Sequence, residues 1–235
     1  MLDFKLIAPL SPYVISTLII IAFLSVVFIV VGIKVSKLDP SKTPKGLVLL
    51  CVTIVDFFTK FLGEYISGKR LKFFGPYLFT IITFLALANT VALFGLTPPL
   101  ANVGIAMSFS VLTFFMIKVA EVKFQGIWTK IKGLAGPVKI LSPIMIPINL
   151  IGEISTPFSM GLRLFVNLMS GTVIAGMVFA LGAGISAGFN FILGLGFNLF
   201  ASVFLHIMFD IFFGLIQAFV FFMLSTVNLS MASEA

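Results

Sequence analysis

Arg163 is the only lysine or arginine between Ile140 and Ala235. It stands in Met160-Gly161-Leu162-Arg163-Leu164-Phe165-Val166-Asn167-Leu168-Met169, with no formal counter-charge within nine positions on either side. A guanidinium stays charged at any biological pH. Setting one in hydrocarbon costs at least about 2.5–3.5 kcal/mol. Three more ionisable residues, Glu153, His206 and Asp210, are scattered through the same apolar third of the chain. Charge kept in such surroundings is the chemistry of ion movement, because a fixed charge there binds, repels or relays ions at low dielectric.

Spacing groups these residues further. If the segment is helical, Glu153, Thr156, Arg163, Asn167 and Ser170 fall on one side, at steps of 3, 4 or 7. In the next apolar run His206, Asp210, Gln217 and Asn228 fall on one side at steps of 4, 7 and 11. Small residues, Gly161, Gly171 and Gly214, lie nearby. Two facing polar stripes would form an aqueous or ion-conducting seam. The plainer reading is that a polar residue in a membrane helix only hydrogen-bonds to a neighbour, and for Gln217, Asn167 or Ser170 taken singly it stays open. Either acid could serve only to neutralise Arg163, but Glu153 is ten residues away, about 15 Å along a helix. That distance puts it toward a helix end, within reach of water. His206 is one turn from Asp210 and suits either a proton relay or an interfacial position. Two ligands at i and i+4 without a third do not make a metal site, so no metal or other cofactor is expected.

Composition places these residues in a membrane. Of 235 residues 60% are hydrophobic and 10% charged, and the mean hydropathy is +1.23. Soluble domains carry about 25% charged residues. A net charge of +7 could suggest a nucleic-acid partner, but the basic residues flank apolar runs, as loop charges of a polytopic membrane protein do. The lone Cys51 excludes an internal disulfide and any cysteine-based metal site.

The elements that must position the stripes follow from the apolar runs. Residues 12–33 form an uncharged first span, too long for a signal-peptide core and without a small-x-small cleavage site. Residues 46–67 are amphipathic: Leu47, Cys51, Ile54, Val55, Phe58, Phe61 and Leu62 recur at three- and four-residue steps, with Asp56, Lys60 and Glu64 on another face. Such a helix either lies on the membrane surface or packs on the protein's own flank. Residues 76–96 and 101–118 form a hairpin turned at Pro98-Pro99. Residues 144–181 and 189–229 form two long helical runs separated by the glycine-rich stretch Gly182 to Gly188. Each is near 60 Å long at about 1.5 Å per residue, twice the hydrocarbon thickness. Neither contains a polar hairpin, so strong tilt is preferred to a turn at membrane depth. The whole is read as one all-α polytopic membrane domain.

Loop charge orients it. Lys34, Lys37, Lys42, Lys45, Lys60, Lys69, Arg70 and Lys72 follow the first span, and Lys118, Lys123, Lys130, Lys132 and Lys139 follow the third. Three crossings put both loops on one side, which the positive-inside rule makes cytoplasmic, with the N-terminus outside.

The run Gly161-Leu162-Arg163-Leu164-Phe165-x-Asn167 resembles the signature of the a subunits of F-type ATP synthases. Ile216-Gln217-Ala218-Phe219-Val220-Phe221-x-Met223-Leu224-Ser225-Thr226-Val227 is similar to a second motif of that family. The tail Leu229-Ser230-Met231-Ala232-Ser233-Glu234 and the segment from Asn89 through Gly95-Leu96-Thr97-Pro98 also fit, so the resemblance covers nearly the whole chain. It implies one crossing helix, a surface amphipathic helix, a hairpin and two long helices lying nearly in the membrane plane beside a ring of c subunits.

The resemblance also implies roles. Arg163 matches the arginine that faces the ion-binding carboxylate of each passing c subunit, and Asn167 and Gln217 match polar residues near it. The family motif usually reads Arg-Leu-Phe-Gly-Asn, and Val166 replaces that glycine. Many members carry a glutamate where this chain has Thr172. The position seven residues before the glutamine varies between histidine and acidic residues and is Asp210 here, so the acidic role in the outer half-channel is expected at Asp210.

The implied activity is that of a stationary ion-channel subunit in a bacterial inner membrane, moving protons or sodium between two offset half-channels. Implied partners are the c-ring, b-type peripheral stalk subunits, the rest of the synthase and lipid, with no nucleic acid. No Gly-x-x-x-x-Gly-Lys-Ser/Thr run occurs, so no nucleotide site and no catalysis are expected in this chain. The alternative is a secondary transporter that binds an anionic substrate at Arg163. Such proteins tend to carry internal repeats with matched broken helices, and the Arg163 segment is not repeated.

Overall fold

The computed structural model describes residues 11–37, 46–66, 68–126 and 142–233, with the side chains of Leu47, Lys69, Ser142 and Ser233 left aside. Lys42, Lys45, Lys130, Lys132 and Lys139 of the two basic loops, and Glu234 of the tail, lie outside these residues.

The described residues fold into helices. α1 spans Pro12–Ser36. Proline suits its first position because that N–H has no helical partner in any case. α2 spans Leu47–Tyr65 and follows Gly46, whose φ of 62° favours glycine. α3 spans Lys69–Thr90 with Pro76 inside it, then tightens into a 3₁₀ turn, Val91–Phe94. That turn stops at Gly95 in the left-handed conformation. A second 3₁₀ turn, Pro99–Ala101, leads into α4, Val103–Phe124. Asn102 caps α4: its Oδ1 accepts from the Gly104 N–H at 2.9 Å and from the Ile105 N–H at 3.4 Å.

α5 is a single helix of 47 residues, Ser142–Gly188, running through Pro147 and Pro157. α6 spans Phe191–Leu205, a π segment spans His206–Phe213, and α7 spans Gly214–Ser233. Among the described residues five stretches are long and apolar enough to cross a membrane: Pro12–Ser36, Arg70–Phe94, Val103–Phe124, Pro143–Gly188 and Phe191–Ala232. The protein is an all-α membrane protein.

The glycine-rich stretch differs from the expected turn. Residues 182–188 are helical, and the chain reverses at Phe189 and Asn190. Asn190 starts the next helix as its N-cap, accepting from the Ile192 N–H through Oδ1 at 2.8 Å. The glycines serve close packing instead. A Cβ on Gly182 would collide with the Asn198 side chain, and one on Gly194 with Ser186. Small residues let membrane helices approach where lipid supplies no hydrophobic drive for association.

Contacts gather into two compact units. One holds Met1–Thr17, Leu85–Val111 and Phe158–Val220. In it Leu164, Leu168 and Met160 are buried, Ser16 Oγ lies 3.2 Å from Thr97 Oγ1, and Gly161 fits against Met107 and Ser110 of α4.

The other unit holds Leu18–Phe84, Leu112–Pro157 and Phe221–Ala235. Its core includes Leu62, Ile66, Phe74, Leu78, Ile117, Phe222 and Leu229. The Phe58 and Phe61 rings of α2 meet Phe222 at 5.6 and 6.1 Å. Ser230 Oγ donates to the Tyr65 carbonyl at 2.7 Å, and the Tyr77 hydroxyl to Thr113 Oγ1 at 3.0 Å. α2 therefore packs on the protein's own flank, while Leu49, Leu50 and Phe57 remain exposed.

The seat of Gly161 gives a test. A Cβ there would lie 2.6 Å from Met107 Sδ and 3.2 Å from the Met107 Cα. Gly161→Val should destabilise the detergent-solubilised protein by about 1–3 kcal/mol, the usual cost of overpacking. Gly152→Ala, where nothing lies within 4 Å, should be neutral. Equal melting temperatures for the two variants would refute the close packing of α4 and α5.

Candidate functional site in the long C-terminal helices

Arg163 sits on α5 one residue before the buried Leu164, yet its own side chain is exposed. No hydrogen bond or ion pair ties it to another described residue. The buried positions Met160, Leu164, Leu168 and Gly171 form one stripe of the helix, and Arg163, Asn167 and Ser170 run along its edge. Val166, Met169 and Val173 are exposed beyond that edge. An unpaired cation on an apolar exposed face is a costly arrangement unless an anion meets it there.

The neighbours of Arg163 on α5 separate into two kinds. The Ser170 hydroxyl donates to the Val166 carbonyl at 2.7 Å and lies 3.1 Å from that of Asn167, and the Thr172 hydroxyl donates to Met169 at 2.8 Å. Both are satisfied by their own helix. Asn167 is different, because its Nδ2 is buried without a partner. A buried amide left unpaired costs about 1–3 kcal/mol. Such a group is a reserve for a water, an ion or an incoming side chain.

Glu153 has a partner that spacing could not supply. Its Oε2 lies 2.7 Å from Lys118 Nζ on α4, and the same ammonium lies 2.9 Å from Glu121 Oε2. The three line a cavity of about 280 Å³ together with Gln125, Thr156 and Asn228. That volume holds several waters. Glu153 is thus half-buried and salt-bridged beside a polar cavity rather than free at a helix end. Lys118 had been read only as a loop charge, and no short-range pattern could pair it with a residue 35 positions on.

His206 and Asp210 do come together. His206 Nδ1 lies 2.6 Å from Asp210 Oδ2, with the carboxylate side chain 13% exposed and the imidazole 47%. The contact orders the pair so that the histidine is the outward member. Among the described residues no three His, Cys, Asp or Glu side chains converge to hold a metal ion.

The stripe expected through His206, Asp210, Gln217 and Asn228 does not survive as one straight face. It assumed α-helical turn throughout, and His206–Phe213 is wound as a π segment. Bonds from i to i+5 take more residues per turn, so Gln217 is rotated away from the Asp210 side. Asn228 instead lines the cavity with Glu153.

Gln217 can be placed against α5 only by extending the register of the contacts before it. Gly171 approaches Phe209, Gly182 approaches Asn198, and Ser186 approaches Gly194. In each pair a step back along α5 matches an equal step forward along the second helix. Continuing that register puts Ser170 opposite Asp210 and Arg163 opposite Gln217. The Gln217 Nε2 is buried and unpartnered, so on that extension a second orphaned amide falls at about the level of the guanidinium.

Comparison with known proteins bears on this arrangement. Residues 14–230 match the model of the family described as ATP synthase A chain. The chain is 29% identical over 234 residues to ATP synthase subunit a of Desulfosudis oleivorans, covering 99% of this chain and 93% of that one. It is 27% identical over 228 residues to ATP synthase subunit a of Chlorobium phaeobacteroides, covering 95% of this chain but 65% of the relative. Against ATP synthase subunit a 2 of Prosthecochloris aestuarii it is 30% identical over 216 residues, 90% of this chain and 65% of the other. The chain thus spans a little under two thirds of the length of several curated relatives. With the family match running from the first span through α7, this chain belongs to the ATP synthase A chain family.

Proposed function

We propose that this protein is the stationary ion-channel subunit of an F-type ATP synthase and that Arg163 is its central group. The observation that carries the reading is the guanidinium itself: exposed, unpaired among the described residues, and set on an apolar helix face. On this reading its counter-charge is the ion-binding carboxylate of a c subunit. That carboxylate crosses lipid neutral, with its proton or sodium bound, and becomes an anion only when the ion leaves into a half-channel. Arg163 stabilises the anion at low dielectric. The same fixed charge repels cations and so keeps the two half-channels from joining directly. An ion then completes its path only by riding the ring. Each elementary charge crossing yields about 2.3 kcal/mol per 100 mV.

Asp210, ordered by His206, takes the acidic role of the outer half-channel, a role that the resemblance assigns in many members to a glutamate at the separate position held here by Thr172. Asn167 and Gln217 supply unpaired amides around the arginine, suited to hydrating the carboxylate as it arrives. Ser170 lies two turns along the same helix from Arg163, and Glu153 serves the ion path from its own cavity beside Lys118. The exposed apolar faces of α5 and α6 suit the ring and lipid, and α2 suits the membrane surface with b-type stalk subunits alongside. In the membrane this is one polytopic unit: α3 and α4 form a transmembrane hairpin, and α5 with α6 and α7 lies strongly tilted. The site is an inner bacterial membrane, with the N-terminus outside and both basic loops inside. The chain takes part in ATP synthesis without itself being catalytic.

Three substitutions test this. Arg163→Ala should abolish ion-driven ATP synthesis in membrane vesicles and permit passive ion leak, and retained coupling would refute the assignment. Arg163→Lys keeps the charge but loses the planar fork, so synthesis should fall by about tenfold or more. Asp210→Asn should cut synthesis by roughly 10²-fold, the scale of losing a proton-transfer group. Wild-type rates in that variant would remove Asp210 from the ion path.

A further inference from the structure

The second long helix changes winding where it carries its only two ionisable groups. His206–Phe213, eight residues, is π-helical, with α-helix on both sides. None of the eight is buried, whereas Gly194, Ala201 and Leu205 before them and Gly214 and Ala218 after them are. On an unbroken α-helix, at about 100° per residue, the first three would share one side. Gly214 and Ala218 would then point roughly 200–240° away from it. The i→i+5 winding turns less by roughly 20° per residue, so eight residues take back about 150°. The π segment therefore turns Gly214 and Ala218 back toward the side of Gly194, Ala201 and Leu205, with Gly194 against Ser186 of α5 and Gly214 against Asn89 of α3. It also fixes the rotation of the Asp210–His206 pair between them.

Two contacts grip this segment. On one side Gly171 of α5 accepts Phe209, whose Cβ would lie 3.2 Å from a Cβ built on the glycine. At its end Asn89 Nδ2 donates to the Gly214 carbonyl at 2.8 Å. Asn89 is 1% exposed, and a Cβ on Gly214 would come within 2.8 Å of its Cβ. The hydrogen bond is long-range, 125 positions apart in sequence, and it falls on the first residue after the change of winding. The Oδ1 of the same amide has no partner. Side-chain hydrogen bonds from neighbouring helices are the usual means of satisfying backbone disturbed by irregular turns in a membrane.

We propose that the π segment is the element that aims the Asp210–His206 pair, and that Asn89, acting through the Gly214 carbonyl, is the positioning residue that holds it in register. This rests on the ion-path role assigned above to Asp210. Asn89 neither carries the ion nor touches the pair. Its loss lets the segment rotate toward ordinary α winding and swings Asp210 out of its place.

The test uses vesicles containing the whole synthase, with ATP synthesis measured against pH on the outer side. Variants are Asn89→Ala, the near-isosteric Asn89→Asp, Asp210→Asn and the double Asn89→Ala/Asp210→Asn. Asn89→Ala should assemble normally, lose about tenfold in rate and shift the pH midpoint of synthesis. It should cost nothing further in the Asp210→Asn background, because residues acting as a unit are non-additive. Asn89→Asp should recover activity as pH falls, since the protonated carboxyl regains a donor for the Gly214 carbonyl. Additive losses, an unshifted pH profile, or failure of both Asn89 variants to assemble would each overturn the proposal, leaving Asn89 a residue of folding alone. If Asp210→Asn is itself silent, the reading of Asp210 fails; if Asp210→Asn is impaired and Asn89→Ala is silent, only the positioning role fails.

Discussion

An unpaired guanidinium on an apolar helix face is the constraint from which the rest follows. Charge in hydrocarbon is tolerated only with a partner, water or both. Every other acid placed in the C-terminal helices is already engaged. Glu153 is held by Lys118, and Asp210 by His206. Both described acids of these helices are thus paired locally, while the Arg163 guanidinium has no partner among the described residues. In a family whose members work beside other subunits, the missing anion is best sought on a neighbour.

Around that cation the helices are built for closeness rather than for hydrophobic collapse. Between membrane helices lipid removes the usual drive for association. Glycines do the work instead, at Gly161 against α4, at Gly171 against Phe209 and at Gly182 and Gly194 in the turn region. Each brings backbones near enough for short polar side chains to act across helices. The Asn89 to Gly214 bond is such a contact. The Ser170 and Thr172 hydroxyls fold back on carbonyls of their own helix, whereas Ser230 reaches the Tyr65 carbonyl. The amide nitrogens of Asn167 and Gln217 stay unpaired. Unpaired buried amide atoms also remain on Asn89 and Asn198, so polar capacity is spread along these helices.

Much of this was legible in order of residues. Apolar length marked the long helices, because a run of that hydropathy has no stable alternative in a membrane. The isolation of Arg163 marked the site. The i, i+4 spacing of His206 and Asp210 foretold their contact, a local consequence of helical turn. Where the reading went astray, it had assumed regularity or a familiar meaning. The glycine-rich stretch looked like a turn, but in a membrane glycine also signals contact, and the reversal falls at Phe189 and Asn190. The stripe through Gln217 and Asn228 assumed uniform winding across a segment that is π-helical.

Composition, periodicity and local motif carry the medium, the helical class and the family. Only the tertiary structure decided which groups meet. Lys118 finds Glu153, Asn89 finds Gly214, and Gly171 receives Phe209. The physical reason is range. Helical spacing relates residues within a few turns, whereas a hydrogen bond 125 positions apart is set by how helices pack and where one of them changes its winding.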